Sequence, residues 1–203
     1  TTRGNLEWKE GLVDGEVIWQ PSKNGRWESS WLPDSPHVLN NVIREGSLLR
    51  PGNKAGFVIG IDPFDHNKPT HGKPSLGGAH TLKKFDPLID VGTDISIMLT
   101  PRFVMQYLYR QPKSSMFYED MIKTVFFWGC QALVENSKIG ILNHFNSRGY
   151  GQFIMERPAY THTANTRGRQ KEAGIPGSKL LHEAVVDAWE EYIFDHWGKI
   201  DYV

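Results

Sequence analysis

The apolar positions of this 203-residue chain fall into short runs separated by turn residues, and the runs change character near residue 50. Before it, residues 6–9, 16–20 and 26–32 are brief, Trp-bearing and β-prone. Asp14-Gly15 separates the first two, and Pro21-Ser-Lys-Asn-Gly25 the next two; Asn-Gly between such runs is a strong hairpin signal. The pattern predicts a small β-meander, a Pro-bearing exit (Pro33, Pro36), a connector over 40–49 and a turn at Pro51-Gly52-Asn53. The Trp residues either line a partner surface or, as such residues more often do, pack a small sheet onto its host.

After it, residues 57–61 are all apolar or Gly, which reads as a short, fully buried strand ending at Asp62. Residues 65–74 are polar and rich in His, Lys and Pro, hence a loop. Residues 75–85 read as a second strand, whose Gly77-Gly78 signals a bulge or a close backbone approach. A turn-rich excursion over 85–94 leads to a third strand over 102–110, ended by Pro112. Ser114 or Ser115 can cap a helix to about Trp128, with Phe117, Met121, Val125 and Trp128 on one face. A strand over 132–134 carries Glu135, a helix over 139–148 is closed by Gly149, and 152–155 reads as a brief strand. A polar loop over 159–174 precedes a helix opened by Pro176-Gly-Ser178 and running to about Trp197, with Leu180, Leu181, Val185, Trp189, Tyr192 and Ile193 as its apolar stripe. The order β-β-β-α-β-α-β-loop-α is a mixed α/β layer fold, its first three strands an antiparallel meander. The division is a β-rich leader, 1–50, packed on a main domain, 51–203.

Composition adds little. The chain is 39% hydrophobic with a formal net charge of zero, so a core is available and global charge gives no case for nucleic acid. The single cysteine, Cys130, lies beside an apolar run and reads as a buried, inert thiol, which fits a reducing, intracellular setting. No apolar run approaches the roughly 20 residues needed to span a bilayer. The chain opens Thr1-Thr2-Arg3 and ends Asp201-Tyr202-Val203, and is read as a possible piece of something longer.

Candidate chemistry lies at the strand ends. Asp62 and Glu135 each terminate a short apolar strand, where open α/β sheets present their ligands. Two such carboxylates suit a hard divalent ion such as Mg²⁺, which takes oxygen ligands. Each alone is more often a solvated strand-end acid; the pair in this order favours metal. Asp65 and His66 just past the first strand, and Asn136 and Lys138 past the fourth, could touch a metal-bound water or a phosphate, or be ordinary loop polarity. The histidines show no zinc-like spacing with a cysteine.

The runs Ile59-Gly-Ile-Asp-Pro-Phe-Asp65, Tyr107-Leu-Tyr-Arg-Gln-Pro112, Met116-Phe-Tyr-Glu-Asp-Met121, Ala132-Leu-Val-Glu-Asn136 and Gly174-Ile-Pro-Gly-Ser178 resemble, in joint order and spacing, the C-terminal nuclease domain of tailed-phage terminase large subunits, nearest to the branch of Bacteroidetes and crAss-like phages. The resemblance covers roughly residues 3–197. It implies a ribonuclease H-like mixed sheet flanked by helices, and a metal-dependent endonuclease cutting concatemeric duplex DNA. Two Mg²⁺ or Mn²⁺ ions would activate water and hold the leaving group. In that scheme Asp62 bridges the ions and Glu135 holds one. The family's third carboxylate would be Asp187, less readily Asp201, or an acid beyond Val203. Partners implied are double-stranded DNA, the ATPase domain of the same parent chain, the portal and the small terminase subunit, in the host cytoplasm during virion assembly. No Gly-x-x-x-x-Gly-Lys-Ser/Thr loop is present, so the ATPase is not expected here, and the leader would be its link.

DNA contact is expected from local cations: Lys68, Lys73, Lys83 and Lys84 around the first hairpin, and Arg167, Arg169 and Lys171 in the late loop. Such groups track phosphates without reading sequence, though basic runs are more often plain solvated surface. Another ribonuclease H-like enzyme of resolvase or transposase type, or a non-catalytic packaging scaffold, remain as alternatives.

Overall fold

The computed structural model describes residues 1–33, 42–64, 74–84, 101–158 and 173–197. Among the described residues nine strands are formed: β1 (Thr2–Trp8), β2 (Val17–Pro21), β3 (Trp27–Ser29), β4 (Val42–Glu45), β5 (Leu48–Pro51), β6 (Phe57–Asp62), β7 (Gly77–Lys83), β8 (Arg102–Tyr109) and β9 (Ala132–Val134). Three α-helices of the described residues follow or interleave them: α1 (Ser114–Trp128), α2 (Gly140–Ser147) and α3 (Lys179–His196). Seven strands make one mixed sheet in the order β2-β1-β3-β8-β7-β6-β9. Strands β6, β7 and β8 form the expected antiparallel meander, and β9 lies parallel to β6. The α/β class expected from the element order is therefore present.

In β6 the apolar run is buried on one face only. Phe57, Ile59 and Ile61 are buried beneath α1, whereas Val58 is half-buried and Gly60 and Asp62 are exposed. The expectation of a fully buried strand fails because the second face opens into a groove. In β7, Gly77 confirms the close approach: a Cβ there would lie 2.5 Å from a ring carbon of Phe117. The bulge sits elsewhere, as a register shift between Thr81 and Leu82.

Helix α1 is buried on nearly every side. Phe117, Met121, Val125 and Trp128 face inward as expected, but Tyr118, Ile122, Phe126 and Phe127 are buried too. Phe126 meets Trp8 of β1 at 5.2 Å and both Tyr150 and Phe153 at 5.1 Å. Neither serine caps it: Ser114 is its first residue, after Lys113. Gly129, in the left-handed region at φ 59°, ends it. Cys130 is fully buried as expected, and burial pushes its thiol pKa well up.

The leader extends the same sheet. β3 pairs with β8 in register Trp27↔Tyr107, so hydrogen bonding runs unbroken across residue 50. The leader's Trp residues turn inward: Trp27 is buried and donates its indole N–H to Thr124 Oγ1 at 3.1 Å, and Trp31 stacks on both Phe57 and Trp128, which also meet each other at 4.7 Å. The segment expected as a connector holds the β4–β5 hairpin, turned at Gly46 (φ 62°) and anchored by buried Leu49. Its four-residue strands are too short to show alternation.

The strand expected over 152–155 is instead a 3-10 turn (Gly151–Phe153) with a single parallel bridge from Ile154 to Ala132. Helix α3 forms with Ser178 Oγ accepting from the Leu181 N–H at 3.3 Å. Its apolar stripe engages only in part. Trp189 and Tyr192 meet Phe103 at 5.3 and 5.7 Å, while Val185 is 54% exposed. Among the described residues, no helix is long and apolar enough to cross a membrane.

Candidate functional site

Parallel pairing of β6 with β9 sets the site. The register Gly60↔Leu133 and Ile61↔Val134 makes Asp62 and Glu135 neighbours at the C-terminal ends of both strands. Ile61 and Val134 are buried on the opposite face and pin that register, and the Glu135 N–H donates to Ile61 O at 3.0 Å. The two carboxyl side chains lie within hydrogen-bonding reach of each other.

Glu135 is held from three sides. Ser137 Oγ donates to its Oε1. Gly177 passes so close that a Cβ would collide with that same oxygen. The backbone on either side is tied to the segment before α3: Asn136 N–H to Ile175 O at 2.8 Å, Ile175 N–H to Val134 O at 2.8 Å, and Asn136 Nδ2 to Ala173 O at 2.9 Å. Gly174 permits this, since at φ +76° it turns the chain directly over Val134 O. The start of α3 is thereby delivered to the carboxylates.

Burial pushes the Asp62 carboxyl above its usual range, and the neighbouring Glu135 adds to this through its charge and a shared hydrogen bond. Lys138 acts against them, as does His182 more weakly. Lys138 Nζ donates to Pro63 O at 2.7 Å and lies 3.9 Å from Asp62 Oδ1, linking the two loops that follow β6 and β9. His182, one turn into α3, was not singled out by its sequence neighbours; the only available sign was its distance from the Gly177 turn.

Two crowded carboxylates on rigid strands fit a hard divalent cation, which would relieve their repulsion and accept their oxygens. Asp62 and Glu135 are the residues that would hold it. Among the described residues, no group of three His, Cys, Asp or Glu side chains forms a metal cluster. Asp187 is exposed on α3, five residues beyond His182, which corresponds to about 140° of rotation and about 7.5 Å of rise. It joins no group of three with the pair. Glu183, adjacent to His182, is nearer the start of the helix and lies 3.7 Å from Lys179.

The other sequence candidates divide in two. Lys83 is buried, with its ammonium over the Trp31 ring at 5.7 Å, and both it and Lys84 sit at the far end of the sheet, opposite Phe57. Five strand steps, about 17 Å, separate that end from Asp62. Asp65, His66, Lys68, Lys73, Arg167, Arg169, Lys171 and Asp201 lie outside the described residues.

Lys138→Met is expected to tighten Mn²⁺ binding. A cation about 4 Å from Asp62 competes with an incoming ion by about 1 kcal/mol in water, roughly five-fold. Calorimetry reads the sign: simple damage to the loop would weaken binding instead. Comparison with known proteins adds no relative, since no protein-family model and no curated protein matches the chain.

Proposed function

We propose that the chain is the nuclease domain of a tailed-phage terminase large subunit, a ribonuclease H-like endonuclease that hydrolyses phosphodiesters of concatemeric viral DNA with two Mg²⁺ or Mn²⁺ ions. The observation that carries this reading is the carboxylate pair Asp62 and Glu135, adjacent at the ends of the parallel strands β6 and β9. The sheet order supports it: an antiparallel β8-β7-β6 meander with β9 parallel beside β6 is the arrangement a ribonuclease H-like core requires. So does the sequence resemblance, which spans the same segments.

Bound divalent ions would supply Lewis acidity and charge neutralisation at the scissile phosphate. The chain's own residues do the positioning. Asp62 and Glu135 fix where positive charge collects, and Ser137 and Gly177 hold Glu135 in orientation. Lys138 holds the loop past Asp62 through the Pro63 carbonyl, within reach of the same carboxylate. The late-loop cations Arg167, Arg169 and Lys171, with Lys68 and Lys73, are proposed to track DNA phosphates. The ATPase domain, portal and small subunit are its proposed partners in the host cytoplasm.

Divalent-ion titration with cleavage of linear duplex and of branched junctions tests the reading. Metal-dependent cutting of linear duplex is expected. Preference for junctions would point to a resolvase-type enzyme, and absence of metal binding to a scaffold.

Two ions carry about four positive charges, so a third acid is expected beside the pair and the phosphate. Asp187→Asn and Glu183→Gln should each leave cleavage within about two-fold, since among the described residues no third acid clusters with the pair. Plasmid nicking with Mn²⁺ reads both. If neither change matters, the third acid lies outside the described residues.

A further inference from the structure

We infer that Arg110, at the end of β8, clamps a backbone phosphate of duplex DNA beside the carboxylate pair. This rests on the nuclease reading and adds a substrate-binding residue to its site.

Strand β8 runs parallel to β6, because both pair antiparallel with β7. Their C-terminal ends therefore share one edge of the sheet. Asp62 opposes Gly78 and Gly78 opposes Leu108, which sets β8 two strand spacings, about 10 Å, from β6. Arg110 is the first residue past β8. Its side chain turns back toward β6: the guanidinium carbon lies over the Phe64 ring, 4.5 Å from its centre, and Phe64 is two residues past Asp62. Arg110 Nη1 also donates to Ser75 O, in the approach to β7.

The platform beneath this cation is fixed. Phe64 is buried, its ring meets Phe117 of α1 at 5.4 Å, and its carbonyl accepts from Tyr118 OH at 3.4 Å. The backbone next to Arg110 is fixed as well, because Gln111 is buried and donates to Asp120 Oδ2 at 2.6 Å. A guanidinium held over an aromatic ring keeps its place, and its five N–H donors match the paired oxygens of a phosphate.

Placement selects the ligand. In the sheet order β9 flanks β6 on one side and β7 and β8 on the other. Lys138, past β9, lies 3.9 Å from Asp62, and Arg110, past β8, lies over Phe64. Residues 62–64 are thus flanked by a cation on each side. A DNA strand whose scissile phosphate sits on ions at Asp62 and Glu135 carries its neighbouring phosphates across the same edge. Toward β8, the guanidinium of Arg110 is there to receive one. Such a contact positions the duplex without reading its sequence. An uncharged side chain would cover Phe64 as well as arginine does, whereas a phosphate needs the charge, and this separates the two roles in experiment.

The test is duplex binding by fluorescence anisotropy in EDTA, from about 50 to about 200 mM KCl. Arg110→Met keeps a long apolar stem over Phe64 and removes the charge. It should lower the slope of log affinity against log salt by about 0.9 and weaken binding about ten-fold at the low-salt end. Arg110→Lys should restore the slope. Lys84→Met, at the far end of the sheet, removes the same charge and should leave the slope at the wild-type value. Arg110→Gln reads the same change if the Met variant does not fold. A merely structural arginine would lower Tm in the Met variant and leave the slope alone. An unchanged slope without the Arg110 charge, an equal fall in Lys84→Met, or no duplex binding by the wild-type chain would each overturn the clamp. Metal is absent from this assay. Duplex binding with the expected slopes by a chain that never cleaves would fault the nuclease reading and leave the clamp standing; cleavage with Mn²⁺ alongside a full slope in Arg110→Met would overturn the clamp alone.

Discussion

Asp62→Asn is expected to abolish divalent-ion binding at the shared position and to lower DNA cleavage by at least about a hundred-fold. Asparagine keeps the size and one acceptor oxygen but removes the negative charge. The neighbour it leaves, Glu135, cannot bridge alone, because the two side chains meet at the ends of separate strands and each supplies one side of the site. The apo protein should respond in the opposite sense. The Asp62 carboxyl is held above its ordinary pKa by burial and by Glu135. Its ionised form therefore costs stability at neutral pH, and that cost fades as pH falls through the raised value toward the usual 3.8. The wild-type apo chain should gain in Tm on mild acidification relative to Asp62→Asn, and the variant should be equal or slightly more stable at pH 7. The side chain is 68% exposed, so solvent screening keeps this gain small. Calorimetry with Mn²⁺ and thermal melts across pH read the two effects separately. Unchanged Mn²⁺ affinity in the variant would remove the metal site from this pair.

Asp120→Ala should cost about 3–5 kcal/mol in denaturant unfolding, the largest single effect on the fold. Asp120 is 3% exposed and accepts four hydrogen bonds. Arg26 supplies two, from Nε at 3.0 Å and Nη2 at 3.1 Å; Tyr107 OH donates at 3.0 Å and Gln111 Nε2 at 2.6 Å. Burial pushes the carboxyl pKa up, and Arg26, Gln111 and Tyr107 work to keep it charged. Alanine would strand the Tyr107 phenol and the Gln111 amide, and leave the partly exposed Arg26 guanidinium with Glu7 at 3.5 Å. The three donors come from the residue before β3, from β8 and from the loop before α1, so the network fastens the leader to the rest of the sheet. Loss should therefore loosen β1–β3 first. Hydrogen exchange that quickens uniformly, with no excess over residues 2–29, would show the carboxylate to be a general core element rather than the leader's anchor.

Much of the fold was legible in local pattern. The apolar runs at β6 and β9, the helical spacing through α1 and the Pro-Gly-Ser opening of α3 each name an element, because period and turn chemistry act over a few residues. The carboxylate pair was legible for the same reason: Asp62 and Glu135 each follow an apolar run, and the ends of parallel strands share one edge of a sheet. Short elements escaped. The β4–β5 hairpin has too few residues for a period, and residues 152–155 lack a partner long enough to make a strand of them.

What the chain determined by itself was which residues form which element, and that two acids stand at strand ends. Tertiary structure alone decided who meets whom across long separations. The three residues of β3 carry no sign that their partner is β8, yet that pairing joins the leader to the sheet. Nothing near His182 or Gly177 in sequence points to Glu135; the Gly174 turn and the bridge from Ile175 bring them there. The Asp120 network unites residues 94 positions apart. Local propensity is a free energy of a few neighbouring dihedrals, whereas these contacts depend on which edges and faces remain uncovered once the elements have packed.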